Sequence, residues 1–420
     1  MNKSPQVYKK NYYRRKECRI CSSKNLVRFL DLGKHPPSDA FLKKTQLDVP
    51  EDYFPLEVHF CENCYLVQLG HVVSPNLLFK NYPYMTSISA SMQAHLDLLA
   101  VSVTERFNIK PESLVIDIGS NDGTLLKSFK RLKFKTLGVD PSDVANVAKD
   151  GGTETLNDYF SNDIAKKIKK EKGPAVVVTG TNVFAHVNNL YDFLNGINTV
   201  LDNNGLLVLE FPYLVDLINK IEFDTIYHEH LSYFAIRPLT VLFGKFNMEI
   251  FDIQKTSVHG GSIRIFVKKL GSVYSVSNKI NEFISLEKNE GLNSIDIYLL
   301  FANKVRQLRE DLMTLLEDLK SQGKRIVGDG APAKGNTLLN YCHIGTNILD
   351  YIVDMSPLKH GLYTPGTHIP VFPIERIYTD KPDFLLILPW NIKEDIMNQQ
   401  VEFKLNGGKF IVPIPKPTIY

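Results

Sequence analysis

The chain has 420 residues, 44% apolar and 23% charged, which suits a soluble protein of two or three domains. A net charge of +3, from 49 basic and 46 acidic residues, makes no case for a nucleic-acid or membrane surface. The first residues are polar, without the apolar stretch of a secretory signal, and no apolar run approaches the roughly 20 residues of a membrane helix. A cytoplasmic protein is expected; nothing in the sequence sets its oligomeric state, and a monomer is compatible with it.

Residues 1–80 form the first expected domain. They are irregular and rich in turn signals, and they hold four of the five cysteines as Cys18-x-x-Cys21 and Cys61-x-x-Cys64. Four thiolates in two tight knuckles are the tetrahedral set of a structural zinc, with no coordination position left open for catalysis. The metal supplies stability that so little periodic apolar sequence cannot. His59 and His71 read as surface residues, and Cys342 as a buried small hydrophobe.

Residues 81–275 form the second domain. SMQAHLDLLAVSVTERF predicts an amphipathic helix, SLVIDIG a buried strand, and a further helix starts at Thr124. The strands KTLGVD, AVVVTG and LLVLEF follow, alternating with helical segments. That alternation predicts a doubly wound α/β fold with a parallel sheet. VIDIGSNDGTLL places Asp117, Gly119, Asn121, Asp122 and Gly123 between a strand and a helix, where a tight turn and bare backbone admit a ligand at the helix N-terminus. With one early glycine and polar loop residues, it suits the carboxylate and ammonium of an amino acid better than a pyrophosphate. Asp140 ends the next strand, in position for the two hydroxyls of a ribose. Asp158 and Tyr159 offer an edge and a face to an adenine, and Asn182 lies at the carboxyl edge of a third strand. Together these features make the S-adenosylmethionine-binding pattern of class I methyltransferases.

Within 225–234, TIYHEHLSYF, an extended chain would put His228 and His230 on one face. A helix would put them about 200° apart. A metal pair needs the extended form and a third ligand, so a general base, or merely a polar segment, competes with it. Tyr82 and Tyr84 in NYPYMTSIS are candidates for reaching sugar or cofactor, or for aromatic packing. His186 in NVFAHV is a candidate substrate contact. His259, Gly260, Gly261 and Ser262 in SVHGGSIRIF make either a sugar- or phosphate-binding turn or a plain hairpin.

Residues 276–420 form the third domain: a helical connector over 279–322, then a smaller Rossmann-like α/β unit beginning KRIVGDGAPAKGNTLLNYC. Its glycine loop and Lys334 suit the diphosphate of a nucleotide sugar, with a nicotinamide cofactor as the competing ligand. Two other functions compete overall: an NAD(P)-dependent sugar-nucleotide oxidoreductase, and a non-enzymatic zinc-module binding protein.

The paired C-x-x-C, NYPYMTSIS, DIGSNDGTLL, LGVDPS, NVFAHV, FDTIYHEHLSYF, SVHGGSIRIF and GAPAKGNTLLNYC, in this order, resemble the zinc-containing, S-adenosylmethionine-dependent C-methyltransferases of nucleotide-linked 4-keto-deoxysugars. The resemblance covers nearly the whole chain and departs at Asp329, where the family often has an aromatic residue. It implies a zinc module, a cofactor domain and a C-terminal Rossmann-like domain around a nucleotide-diphospho sugar. It also implies His230 as the catalytic base, with Tyr227 and Glu229 as active-site neighbours and His228 beside them as a substrate contact.

Overall fold

A computed structural model gives the structure of residues 11–79 and 84–420. The N-terminal module is a small antiparallel sheet of Leu26–His35, Phe54–Cys61 and Val67–Leu69. Leu56, Val58 and Phe60 alternate inward along the middle strand. Its fourth strand, Ser232–Tyr233, arrives from the central domain and pairs with Val67–Leu69. His59 and His71 are buried here, 6% and 8% exposed, against the expectation of surface positions. Gly70 packs on the His59 ring, and Tyr12 lies against the His71 ring.

The central domain carries a seven-stranded sheet. Its order is Met248–Thr256, Ser262–Lys269, Leu201–Pro212, Ala175–Thr181, Leu114–Ile118, Lys135–Val139, Thr155–Leu156. The last five are parallel; Ser262–Lys269 is antiparallel to both its neighbours. Every residue of Leu114–Ile118 is buried, as expected of a strand covered on both faces. Strand order reverses between Leu114–Ile118 and Ala175–Thr181, the place where open α/β sheets bind ligands.

The connector is two helices, Lys279–Asn289 and Ile295–Ser321, not one. Gly291 at φ +81° ends the first, and the Ser294 hydroxyl caps the second by accepting from Asp296 N–H. The long helix lays Tyr298, Phe301, Val305, Leu308 and Leu312 inward. Tyr298 meets Phe29 of the N-terminal sheet, with ring centroids 5.0 Å apart.

The C-terminal sheet runs Val371–Phe372, Ile352–Val353, Ile326–Asp329, Phe384–Ile387, Lys409–Val412, Thr418–Ile419, all parallel but the last. One hydrophobic core spans the three domains. Polar contacts add to it. Asn336 Nδ2 donates to the Ser38 carbonyl at 2.6 Å, and Glu51 accepts from the Gly366 amide while lying 2.7 Å from His368 Nε2. Cys342 is buried, as expected.

Candidate functional site

Cys18, Cys21, Cys61 and Cys64 converge, with all four sulfurs within 4.8 Å of one another. Both knuckles turn through a left-handed residue after the second cysteine, Ser22 at φ +60° and Tyr65 at φ +68°. Cys18 and Cys64 sulfurs are 3.4 Å apart, and Cys21 and Cys61 sulfurs 3.5 Å. At that spacing the thiols cannot all ionise alone: the bond to Cys64 pulls Cys18 down to about 5 while the same contact pushes Cys64 up. A divalent cation resolves the conflict, and the donor set fits a structural zinc with no open position.

At the sheet's switch point, Asp117, next to last in its strand, accepts from Thr179 Oγ1 at 2.6 Å. Burial pushes its carboxyl up to about 7. Gly119 and Gly123 have φ of +71° and +77°, as the turn requires. Their bare Cα atoms also serve inward packing: a Cβ at Gly119 would lie 2.9 Å from Val183, and one at Gly123 2.9 Å from Thr153. Asp140 Oδ2 accepts from the Asn121 amide at 2.9 Å, and its Oδ1 accepts from Ser142, so it also braces the glycine loop. Asn157, missed in the sequence because a lone asparagine carries no spacing signal, ties this corner by donating to the carbonyls of Asp140 and Ser142.

Asn121 and Asp122 differ from the expectation of direct ligand contact. Asn121 Oδ1 accepts from Thr86 N and Oγ1, its Nδ2 donates to the Tyr84 carbonyl, and Asp122 accepts from Ser87 N at 2.8 Å. These side chains clamp residues 84–88 across the glycine loop. Tyr84 is 41% exposed on that segment, whereas Tyr82 lies outside the described residues. Asp158 accepts from the Tyr159 amide, and both residues are exposed at the rim. Asn182 follows its strand in the left-handed region, φ +56°, with a buried Oδ1 that meets no partner among the described residues. An unmet acceptor at the carboxyl edge of the sheet, beside a positive-φ glycine loop and a raised Asp117, fits S-adenosylmethionine.

The His-Glu-His stretch is neither an extended strand nor a helix. The His230 amide donates to the Tyr227 carbonyl at 3.0 Å, closing a tight turn that sends the two histidines apart. His228 is 1% exposed and faces the N-terminal module, with Nε2 3.1 Å from the Phe54 carbonyl. Burial lowers its pKa to about 3, so it is a neutral wedge between domains and not the substrate contact expected. A metal pair with His230 is also ruled out by this divergence.

His230 faces an aromatic shell. Its ring centroid is 4.1 Å from Tyr227, 5.0 Å from His186 and 6.5 Å from Tyr233. Phe79 stacks on the far side of His186 at 5.6 Å. His230 Nδ1 lies 2.7 Å from the Thr225 carbonyl. A carbonyl only accepts, so Nδ1 carries the proton and the basic lone pair is on Nε2. Burial, then the charge of His230, holds the pKa of His186 well below the usual value. Burial holds the Tyr227 and Tyr233 hydroxyls well above theirs, leaving both as donors. Tyr233 was overlooked in the sequence, although it stands within the same ten residues. Glu229 is buried and interacts with Asp39, whose carboxyl is raised by burial. Asp39 is a partner that no local pattern reveals.

The remaining expected contacts lie where the central and C-terminal domains meet. His259 stands in the 3-10 turn Val258–Gly260. Gly260 packs on Glu222, where a Cβ would lie 2.5 Å from the carboxylate. The Gly261 carbonyl accepts from Tyr213 N, and Ser262 Oγ donates to the Val258 carbonyl. Lys334 departs from the diphosphate-binding expectation. Its Nζ is 3.7 Å from Asp224, 3.1 Å from Asn391 Oδ1 and 4.2 Å from the Trp390 ring centre. In the loop before it, Pro389 packs on Gly330 so closely that a Cβ there would be 2.6 Å away. The proline fills the switch point where a dinucleotide would enter. Asp329 is buried beside it and pushed up to about 7.

Three family models match the chain: a zinc binding domain at residues 18–79, a methyltransferase domain at 92–253 and a C-methyltransferase C-terminal domain at 257–415. The C-methyltransferase NovU of Streptomyces niveus is 34% identical over 404 residues, 96% of either chain. Among solved structures, magnesium protoporphyrin IX methyltransferase from Synechocystis with bound SAH is 16% identical over 42% of this chain and 82% of its own, with a TM-score of 0.33. A SAM-dependent methyltransferase from Anabaena variabilis is 17% identical over 42% and 86%, with a TM-score of 0.34. No helix among the described residues is long and apolar enough to cross a membrane.

Proposed function

The chain belongs to the C-methyltransferase family and is an S-adenosylmethionine-dependent enzyme, and we propose that it methylates a ring carbon next to the ketone of a nucleotide-diphospho 4-keto-deoxysugar. The observation that carries this reading is His230, held as the Nδ1–H tautomer by the Thr225 carbonyl beside the protonated tyrosines Tyr227 and Tyr233. Carbon becomes a nucleophile only after an adjacent carbonyl acidifies its proton. A neutral imidazole is suited to take that proton at Nε2, and tyrosine hydroxyls are suited to hold the enolate oxygen. S-adenosylmethionine, when bound at the switch point, supplies the electrophilic methyl group. Glu229, buried beside Asp39, orients the turn and is not the base. Four reduced thiols around zinc accord with a cytoplasmic setting.

A panel of nucleotide 4-keto-sugars incubated with the enzyme and S-adenosylmethionine should yield one product heavier by one methyl in a mass spectrum. His230→Ala should bind S-adenosylhomocysteine normally and lose turnover by about 100-fold or more. Full turnover in that variant would remove His230 from the role of base.

A further inference from the structure

The segment that orients His230 is itself gripped from the C-terminal domain. Thr225, whose carbonyl accepts from His230 Nδ1, is the last residue of the 3-10 turn Phe223–Thr225. Asp224, in the middle of that turn, is 0% exposed. Its Oδ2 accepts from the Trp390 indole N–H at 2.7 Å, and Lys334 Nζ stands 3.7 Å away. Lys334 is in turn held over the Trp390 ring and by Asn391. Thr337, on the helix that carries Lys334, donates to the Ile226 carbonyl at 3.3 Å. Thr225 Oγ1 donates to the Glu222 carbonyl at 2.7 Å, locking the turn from inside. Consecutive carbonyls, of Thr225 and Ile226, are thus bonded to the base on one side and the C-terminal domain on the other.

We infer that Asp224, Trp390 and Lys334 form a positioning clamp through which the C-terminal domain sets the tautomer and aim of His230. This rests on His230 being the base. A buried ion pair contributes little net stability, because desolvation offsets its attraction, but it enforces one geometry. Its loss lets the turn rotate and moves the Thr225 carbonyl relative to the imidazole. The clamp also accounts for Lys334: its charge is matched by Asp224 within the protein. Among the described residues, the titratable groups facing Asp224 are Lys334, Glu222, Tyr227 and Cys342, and those facing His230 are His186, Tyr227 and Tyr233.

The test uses the full-length, zinc-loaded enzyme. Trp390→Phe keeps an aromatic ring near Lys334 and removes the indole N–H together with part of the ring's buried volume. Its kcat should fall roughly 10- to 100-fold, as for a small misplacement of a reacting group, with both KM values unchanged. Nitrogen-15 spectra should show His230 losing its single Nδ1–H tautomer. Asp224→Asn, whose amide oxygen still accepts from the indole, should retain more kcat than Asp224→Ala. His230→Ala is measured alongside, and its full turnover would reject the base itself. An inactive His230→Ala with native kcat and tautomer in Trp390→Phe would overturn the clamp alone. A Trp390→Phe enzyme that only melts earlier, with native kcat per folded molecule, would overturn it as well.

Discussion

Asp117 illustrates how far one side chain's chemistry depends on its place. Burial, with only Thr179 to oppose it, pushes its carboxyl up to about 7. Between about pH 4 and 7 the folded state therefore keeps a proton that the unfolded state has lost, and stability falls as pH rises, by at most about 1.4 kcal/mol per unit. A ligand ammonium beside Asp117 reverses the preference and expels the proton. Titration calorimetry with S-adenosylhomocysteine near pH 6 should therefore show heats that vary with buffer ionisation enthalpy, and affinity that rises with pH up to about 7. Asp117→Asn should abolish the buffer dependence and weaken binding by about 1.5–3 kcal/mol, the value of a charge-assisted hydrogen bond. Buffer-independent heats in the native protein would remove Asp117 from contact with the ammonium. The two neighbouring histidines make the same point: His228 is a neutral wedge on Phe54, while His230, two residues on, is held by Thr225.

At the scale of elements, the glycine loop and residues 84–88 act as one piece. Polar loop residues that suited ligand contact instead hold the backbone of Tyr84, Thr86 and Ser87. Asn121→Gly tests this cleanly, because glycine tolerates the φ of +50° that Asn121 adopts and removes only the side chain. Amide exchange at 84–88 should accelerate and affinity for S-adenosylhomocysteine should drop by about 10- to 100-fold, since three bonds worth about 1 kcal/mol each are lost. The melting temperature should change little. Unaltered exchange at 84–88 would show that the segment is held by other contacts.

At the scale of the molecule, the zinc module and the reacting segment share a sheet. Ser232–Tyr233 pairs with Gln68 and Val67, a short step from Cys64, and begins two residues after His230. A closed four-thiolate site performs no chemistry, yet its loss should silence the enzyme. Metal analysis should return one zinc per chain. Chelation, or Cys64→Ser, should lower the melting temperature and abolish turnover, since binding of a structural zinc is worth on the order of 10 kcal/mol of folding free energy. A zinc-free protein with native activity would separate the module from the active site.

The zinc ligands, the parallel sheet, the glycine turn and the buried Cys342 were all legible in the sequence. Each is written in local spacing: two residues between thiolates, apolar runs between helices, a glycine where φ must be positive. Nothing local could choose between His228 and His230, since the resemblance and not the spacing separated them. Tertiary structure decided their directions by closing 227–230 into a turn, and it buried His59 and His71. It also gave Asn121 to residues 84–88, Glu229 to Asp39, and Lys334 to Asp224 and Trp390. These partners are distant in the chain, and a polar group buried by folding takes whichever partner the packing brings to it.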